Sequence, residues 1–129
     1  MGPLNYMAKT ERKSMAALEA IDFEDDSIDQ FGAGQLGHLP QSQILDAYAC
    51  IQCSRCQDAC PAYETGKELS PSALEINKRY FLNSHLDEFI NGSIPDAAIT
   101  DILLTDEAAW SCTTCGYCVE VCPVGNEPM

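Results

Sequence analysis

Basic residues are scarce in this sequence: seven Lys and Arg stand against twenty Asp and Glu, giving a formal charge of −13, and none follows Arg79. That balance excludes a nucleic-acid partner, which needs clustered cations to meet phosphate. The acid-only half, 80–129, reads as a solvated surface, with a docking face for a basic redox partner as the alternative. No apolar run is long enough to cross a bilayer, so no membrane span is expected in this chain. Residues 1–10 lack the apolar core and small-residue cleavage site of a secretory signal. An oxidising destination is therefore unsupported, and the cytoplasm is expected. Histidine occurs only at His38 and His85, neither with a partner at ligand spacing, so both are read as surface or hydrogen-bonded core residues. There is no nucleophile–base pair, so catalysis by this chain alone is not expected.

One motif is a decoy. Gly32-Ala33-Gly34-Gln35-Leu36-Gly37 matches G-x-G-x-x-G, which signals dinucleotide binding only between a strand and a helix. An acidic loop precedes it and His38-Leu39-Pro40 follows, so it is read as a turn.

Convincing strands are missing too, and an all-α fold is expected. The composition predicts a first helix from Met7 to Ala20, with Met15 and Leu18 on one side and Lys9, Arg12 and Lys13 on others. Residues 1–40 form this helix and an acidic, glycine-rich lead-in; residues 41–129 form the main domain. From Gln41 a helix with Ile44, Leu45 and Tyr48 on one face delivers Cys50. Ser70-Pro71 reads as an N-cap with proline at the first helical position, and Ser72 with Glu75 as an alternative capping box. That helix should run through Leu74, Phe81, Leu82 and Leu86 to Phe89 or Ile90, where Asn91-Gly92 supplies a left-handed cap. Pro95 is expected to open a helix with Ile99, Ile102 and Leu103 inward. Thr105 is expected to cap another that carries Trp110 as a packing residue towards Cys112.

What the chain has in excess is cysteine: eight in 129 residues. They form two arrays of one spacing, Cys50-x2-Cys53-x2-Cys56-x3-Cys60-Pro61 and Cys112-x2-Cys115-x2-Cys118-x3-Cys122-Pro123. A single C-x2-C is shared by zinc and redox motifs. Two full copies with the trailing proline are the dicluster 4Fe-4S spacing. Three thiolates at two-residue intervals let one loop curl round a face of an iron–sulfur cube, with loop amides aimed at the sulfurs. The fourth faces away and serves the other cluster. The expected ligands are thus Cys50, Cys53, Cys56 and Cys122 for cluster 1, and Cys112, Cys115, Cys118 and Cys60 for cluster 2. Such crossed ligation should couple metal binding to folding. Zinc would leave the middle cysteine of each array without a role, and disulfides between residues three apart on a loop rarely satisfy the bond's geometry. Gly116 is read as permitting close backbone approach, and Ile51, Tyr117 and Val119 as shielding the clusters. The 51 residues between Cys60 and Cys112 are too many for a compact β-hairpin ferredoxin and point to an α-helical one.

The stretch 50–62, Thr65-Gly-Lys-Glu-Leu-Ser-Pro71 and 110–124 together resemble the dicluster domain of heterodisulfide-reductase-like iron–sulfur oxidoreductases, in particular a membrane-associated branch. The resemblance covers about residues 21–127. It implies partners such as a flavoprotein, a cysteine-rich CCG-domain protein and a cytochrome b-like membrane domain. It also implies a position at the cytoplasmic face of a membrane, and either a fragment of a longer protein or a short subunit. Lys9, Arg12 and Lys13 would suit a juxtamembrane segment or equally an exposed mixed-charge helix. The expected function is electron transfer between a flavin or quinone site and another redox centre. The alternative is an enzyme subunit in which one cluster takes part directly in catalysis; a full set of eight cysteines disfavours it.

Overall fold

The computed structural model describes residues 1–9, 21–27 and 31–128. Among them the chain is helical, and the only β-pairing is one isolated antiparallel bridge, Gln35 with Ala98. The expected all-α architecture is what forms.

Helix α1 (Gly2–Ala8) begins earlier than expected and ends where the 7–20 helix should have been under way; Lys9 is extended. The cause is burial. Asn5 and Lys9 both reach Asp46, and a helix continued through Lys9 would turn that ammonium away. The rest of the expected helix, with Arg12, Lys13, Met15 and Leu18, lies outside the described residues.

Helix α2 (Gln41–Ala49) runs into Cys50, as the periodicity predicts. Ile44 and Tyr48 pack on the main core of Leu36, Ala47, Leu82 and Leu103. Leu45 does not share that face. It is partly exposed and sits beside Met1, Leu4 and Asn5 of the N-terminal segment.

The first array gives α3 (Arg55–Asp58) and α4 (Pro61–Glu64), each one turn long. Helix α5 (Pro71–Ser84) starts as predicted: Ser70 Oγ accepts from the Ala73 amide at 3.1 Å and Pro71 opens the helix. The rival capping box is not used, since Ser72 and Glu75 are buried inside the helix. The helix stops short of Phe89, because His85 leaves helical geometry (φ −117°, ψ 21°) and α6 (Leu86–Ile90) follows as a separate turn. Ser84 Oγ donates to the Phe81 carbonyl at 2.9 Å, and the His85 ring stacks on Phe81 with centroids 4.1 Å apart. Such side-chain bonds compete with the helical ladder. Leu86, through which the single helix was expected to run, opens the separate turn and is exposed. Asn91-Gly92 ends α6 with Gly92 at φ +78°.

Helix α7 (Ile99–Ile102) opens four residues after Pro95, not at it. The intervening chain pairs Ala98 with Gln35, and the Ile99 amide donates to the Gly34 carbonyl at 2.8 Å. The glycine-rich decoy is therefore a structural loop that pins α7. Ile99, Ile102 and Leu103 face the core as expected. Helix α8 (Asp106–Trp110) is capped by Thr105, whose Oγ1 accepts from the Ala108 amide at 3.2 Å. Trp110 contradicts its reading as a packing residue: it is 89% exposed. The second array yields α9 (Tyr117–Glu120), which packs against α3 of the first.

Candidate iron–sulfur site

The two arrays fold alike because they impose the same backbone turns. In each, the residues flanking the second cysteine take left-handed geometry: Gln52 (φ 56°) and Ser54 (φ 61°) in the first, Thr114 (φ 53°) and Gly116 (φ 75°) in the second. Only the last is a glycine, so each of the others carries about 1–2 kcal/mol of strain. Ser54 and Gly116 stand at the N-caps of α3 and α9, and these turns carry each loop around a hollow.

Two hollows result. The first is lined by Cys50, Cys53, Cys56 and Cys122, together with Ile51, Arg55, Glu75 and Asn126. The second is lined by Cys60, Cys112, Cys115 and Cys118 among apolar groups that include Ala62, Leu69 and Leu104. The fourth thiol of each array therefore lies with the first three of the other. The enclosed space is about 220 Å³ in the second and only about 20 Å³ in the first. Seating a cluster in the first asks its loop, where Cys53 is exposed, to give outward.

The thiols tell the same story electrostatically. Burial, reinforced by its neighbours Cys50, Cys122 and Cys118, pushes Cys56 up to about 12. Burial likewise lifts Cys118 to about 11, with Cys112, Cys115 and Cys60 adding to it. Cys50 is raised by burial as well, and an amide bond from Gln52 partly offsets the rise. Burial thus keeps these three as neutral thiols, and a metal cluster that took them as thiolates would supply the positive charge that burial withholds. Amides also reach the sulfurs directly: Thr114 N to Cys112 Sγ at 3.4 Å, and Asn126 N to Cys122 Sγ at 3.3 Å.

All eight cysteines are free, so no disulfide competes for them. Among the described residues no three His, Cys, Asp or Glu side chains converge as a single ion requires. A tetrahedral zinc with Zn–S of about 2.3 Å would draw sulfurs to about 3.8 Å of one another. The donor set thus fits clusters better than a lone ion. A family model described as "4Fe-4S dicluster domain" matches residues 46–126. The chain belongs to the 4Fe-4S dicluster domain family. Its cofactors are two 4Fe-4S clusters.

Similar proteins extend this dicluster assignment. The chain is 35% identical to the "Probable iron-sulfur-binding oxidoreductase FadF" of Bacillus subtilis, over 98% of this chain and 22% of that protein. It is 28% identical to the "EtfAB:quinone oxidoreductase" of Syntrophomonas wolfei, over 94% of this chain and 20% of the other. With a "Probable membrane-anchored ferredoxin" of Chromohalobacter salexigens it shares 32% identity, over 83% of this chain and 18% of that one. The dicluster chain thus spans about a fifth of the length of these curated relatives. No solved structure matches it. Among the described residues no helix is long and apolar enough to cross a membrane.

Three smaller expectations fare unevenly. Val119 is fully buried, but Ile51 and Tyr117, read as shields, are both largely exposed. Gly116 does line the second hollow, in left-handed geometry. His38 and His85 are hydrogen-bonded, as expected, to the Gly34 amide and the Phe81 carbonyl.

The sequence reading missed the polar layer behind the first hollow. Asp46 is 0% exposed, one turn before Cys50. Lys9 Nζ donates to both its carboxylate oxygens at 2.7 Å, Asn5 Nδ2 to Oδ1 at 2.8 Å, and the Glu127 amide to Oδ2 at 2.9 Å. Its carbonyl accepts from Asn126 Nδ2 at 2.7 Å. Lys9 is thus a buried partner, not part of an exposed juxtamembrane face. Beside it Glu75 and Lys78 pair at 3.0 Å on α5, and Arg79 Nη1 donates to the Cys50 carbonyl at 3.2 Å. Burial raises the Glu75 carboxyl, with Lys78 opposing. An acid and a base three apart, on the helix face that also carries Pro71 and Leu82, was the available signal.

Proposed function

We propose that this chain is the electron-transfer part of a larger oxidoreductase, without catalytic chemistry of its own. It carries single electrons between a flavin or quinone site and another redox centre. Cys50, Cys53, Cys56 and Cys122 hold one cluster, and Cys112, Cys115, Cys118 and Cys60 the other. When bound, each cluster supplies a one-electron couple. The observation that carries this reading is the exchange of fourth thiols, Cys60 into the second hollow and Cys122 into the first.

The chain's own residues do the rest. Loop amides stabilise charge on the sulfurs, and Ala62, Leu69 and Val119 keep water away. The cluster domain runs from 41 to 129, with 1–40 as a lead-in whose first nine residues clasp Asp46. Relatives named as a quinone oxidoreductase and a membrane-anchored ferredoxin support a place in a redox complex at a membrane, and its cytoplasmic face is the side proposed. A flavoprotein, a CCG-domain protein or a cytochrome b-like membrane domain is the expected company.

Four single Cys→Ser variants test the ligand sets. Each is reconstituted anaerobically and compared by electron paramagnetic resonance (EPR). Cys60→Ser should alter the same signal as Cys118→Ser, and Cys122→Ser the same signal as Cys56→Ser. If Cys60→Ser instead matches Cys56→Ser, the crossed assignment is wrong.

A further inference from the structure

The surroundings of the two hollows differ in charge far more than the two arrays differ in spacing. Arg55 lines the first hollow, and Arg79 bonds to the carbonyl of its ligand Cys50. Lys78 is buried just before Arg79, its ammonium held by the Gln43 carbonyl and by Glu75 Oε1, both at 3.0 Å. Glu75, which also lines this hollow, is 1% exposed, and its Oε2 has no hydrogen-bond partner among the described residues. Behind it Lys9 lies between Asp46, at 2.7 Å, and Glu127, at 3.9 Å. The groups named here are four cations (Lys9, Arg55, Lys78, Arg79) against three carboxylates (Asp46, Glu75, Glu127), an excess of one, and at Cys50 itself the Glu75 charge opposes Arg79 and outweighs it.

Among the described residues no charged side chain lines the second hollow. Lys67 lies on the loop between its lining residues Ala62 and Leu69, but is exposed, with Glu68 next to it and Glu64 three residues before it. Every charged residue beyond Arg79 is acidic. Both hollows have amides bonded to sulfur, so besides their size it is charge that separates them.

Reduction places one more negative charge at the site that takes the electron. In a dry interior, neighbouring cations stabilise that charge, whereas apolar walls with acids beyond them do not. We infer that the two sites differ in potential: the Cys50, Cys53, Cys56 and Cys122 site is the electron sink, and the Cys60, Cys112, Cys115 and Cys118 site is the point of entry. Transfer within the chain then moves one electron from the second site, which is oxidised, to the first, which is reduced, with no bond made or broken. Arg55 and Arg79 act as positioning residues that set this direction. The inference rests on the ligand sets proposed above.

The test is an EPR-monitored potentiometric titration of the full chain, reconstituted anaerobically, with Arg55→Gln, Arg79→Gln and Thr113→Lys alongside. Two separate one-electron waves are expected. Both arginine variants should lower the more positive wave and leave the other in place. Thr113→Lys, which puts a cation on the charge-free lining, should raise the more negative one. Arg55 is exposed, so its variant keeps the fold even if loss of the Arg79 bond loosens the Cys50 loop. Coincident waves, unmoved waves, or an arginine variant that shifts the more negative wave would each overturn the inference. A shortfall of iron and sulfide in the unaltered chain overturns the proposed function with it; full loading with the wrong shifts overturns this inference alone.

Discussion

Replacing Asp46 with alanine should loosen the protein more than any other single change outside the cysteines. The carboxylate is fully buried and receives four side-chain or backbone donations, from Asn5, Lys9 twice, and Glu127. Asp46→Ala leaves the Lys9 ammonium, itself 7% exposed, without its main partner. Removing one member of a buried pair costs about 3–5 kcal/mol. Glu127, 3.9 Å from Lys9, offers partial relief, and Asn5 keeps acceptors at 3.2 Å in Val124 O and Asn126 Oδ1. The low end, about 3 kcal/mol, therefore applies to the pair. The Glu127 amide adds about 1 kcal/mol, for a total of about 4 kcal/mol. That is a large share of the roughly 5–15 kcal/mol holding a domain folded. Cluster loss makes unfolding irreversible, so the quantity to follow is a rate. Bleaching of the iron–sulfur absorbance in chelator and mild guanidinium should accelerate by up to about a thousandfold, at 1.4 kcal/mol per decade. Lys9→Met with Asp46→Ala should cost less than the sum of the two single changes, because neither charge is then stranded. Bleaching within about twofold of the unaltered chain would refute the reasoning and mean that residues 1–9 do not clasp the domain.

Stripping iron anaerobically should abolish most of the helical circular dichroism, because the buried apolar groups beside the second hollow are few; a full helical spectrum in chelator would contradict this. Gly116→Ala should lose about 1–2 kcal/mol from the left-handed turn it occupies, while Ser54→Gly, at the equivalent place, should be neutral or stabilising; bleaching rates under identical conditions compare the two. Metal-free folded chain, to the extent it is trapped, should lose stability as pH rises from about 9 towards 12. Cys56 is raised from the ordinary 9.0 to about 12, so folding favours its protonated form; that advantage is complete below 9 and gone above the folded value. A stability minimum near neutrality would oppose the assignment. Ser70→Ala should cost about 1 kcal/mol through the lost cap on α5, read as a faster bleaching rate.

The parts of this molecule legible in the sequence are those fixed by local chemistry. The cysteine spacing, the Ser70-Pro71 and Thr105 caps and the Asn91-Gly92 terminus each depend on residues within one turn, and each led to a correct element or cofactor. The extent of α5 was misjudged because a pattern of Leu and Phe cannot reveal that Ser84 and His85 turn their side chains onto the Phe81 carbonyl. Helix α7 was started too early because Pro95 is a good opener unless Ala98 is already paired, and its partner Gln35 is sixty-three residues away. A place two residues before Cys112 suggests that Trp110 packs, but it does not say which way a five-residue helix faces. The Asp46 knot was invisible for the same reason as the bridge: Lys9 and Asp46 are 37 positions apart, and nothing about either residue alone marks it as buried.

The composition of the two hollows also constrains how the protein is made. A ribosome that has passed the first array has produced three thiols facing an incomplete ring, and the stray Cys60 has nothing to join. With the ligand sets proposed above, the second ring closes only when Cys118 emerges, and the first only at Cys122. Neither can therefore be filled before residues 112–122 have been made, and a nascent chain stalled before position 112 would expose four thiols with no finished nest for iron.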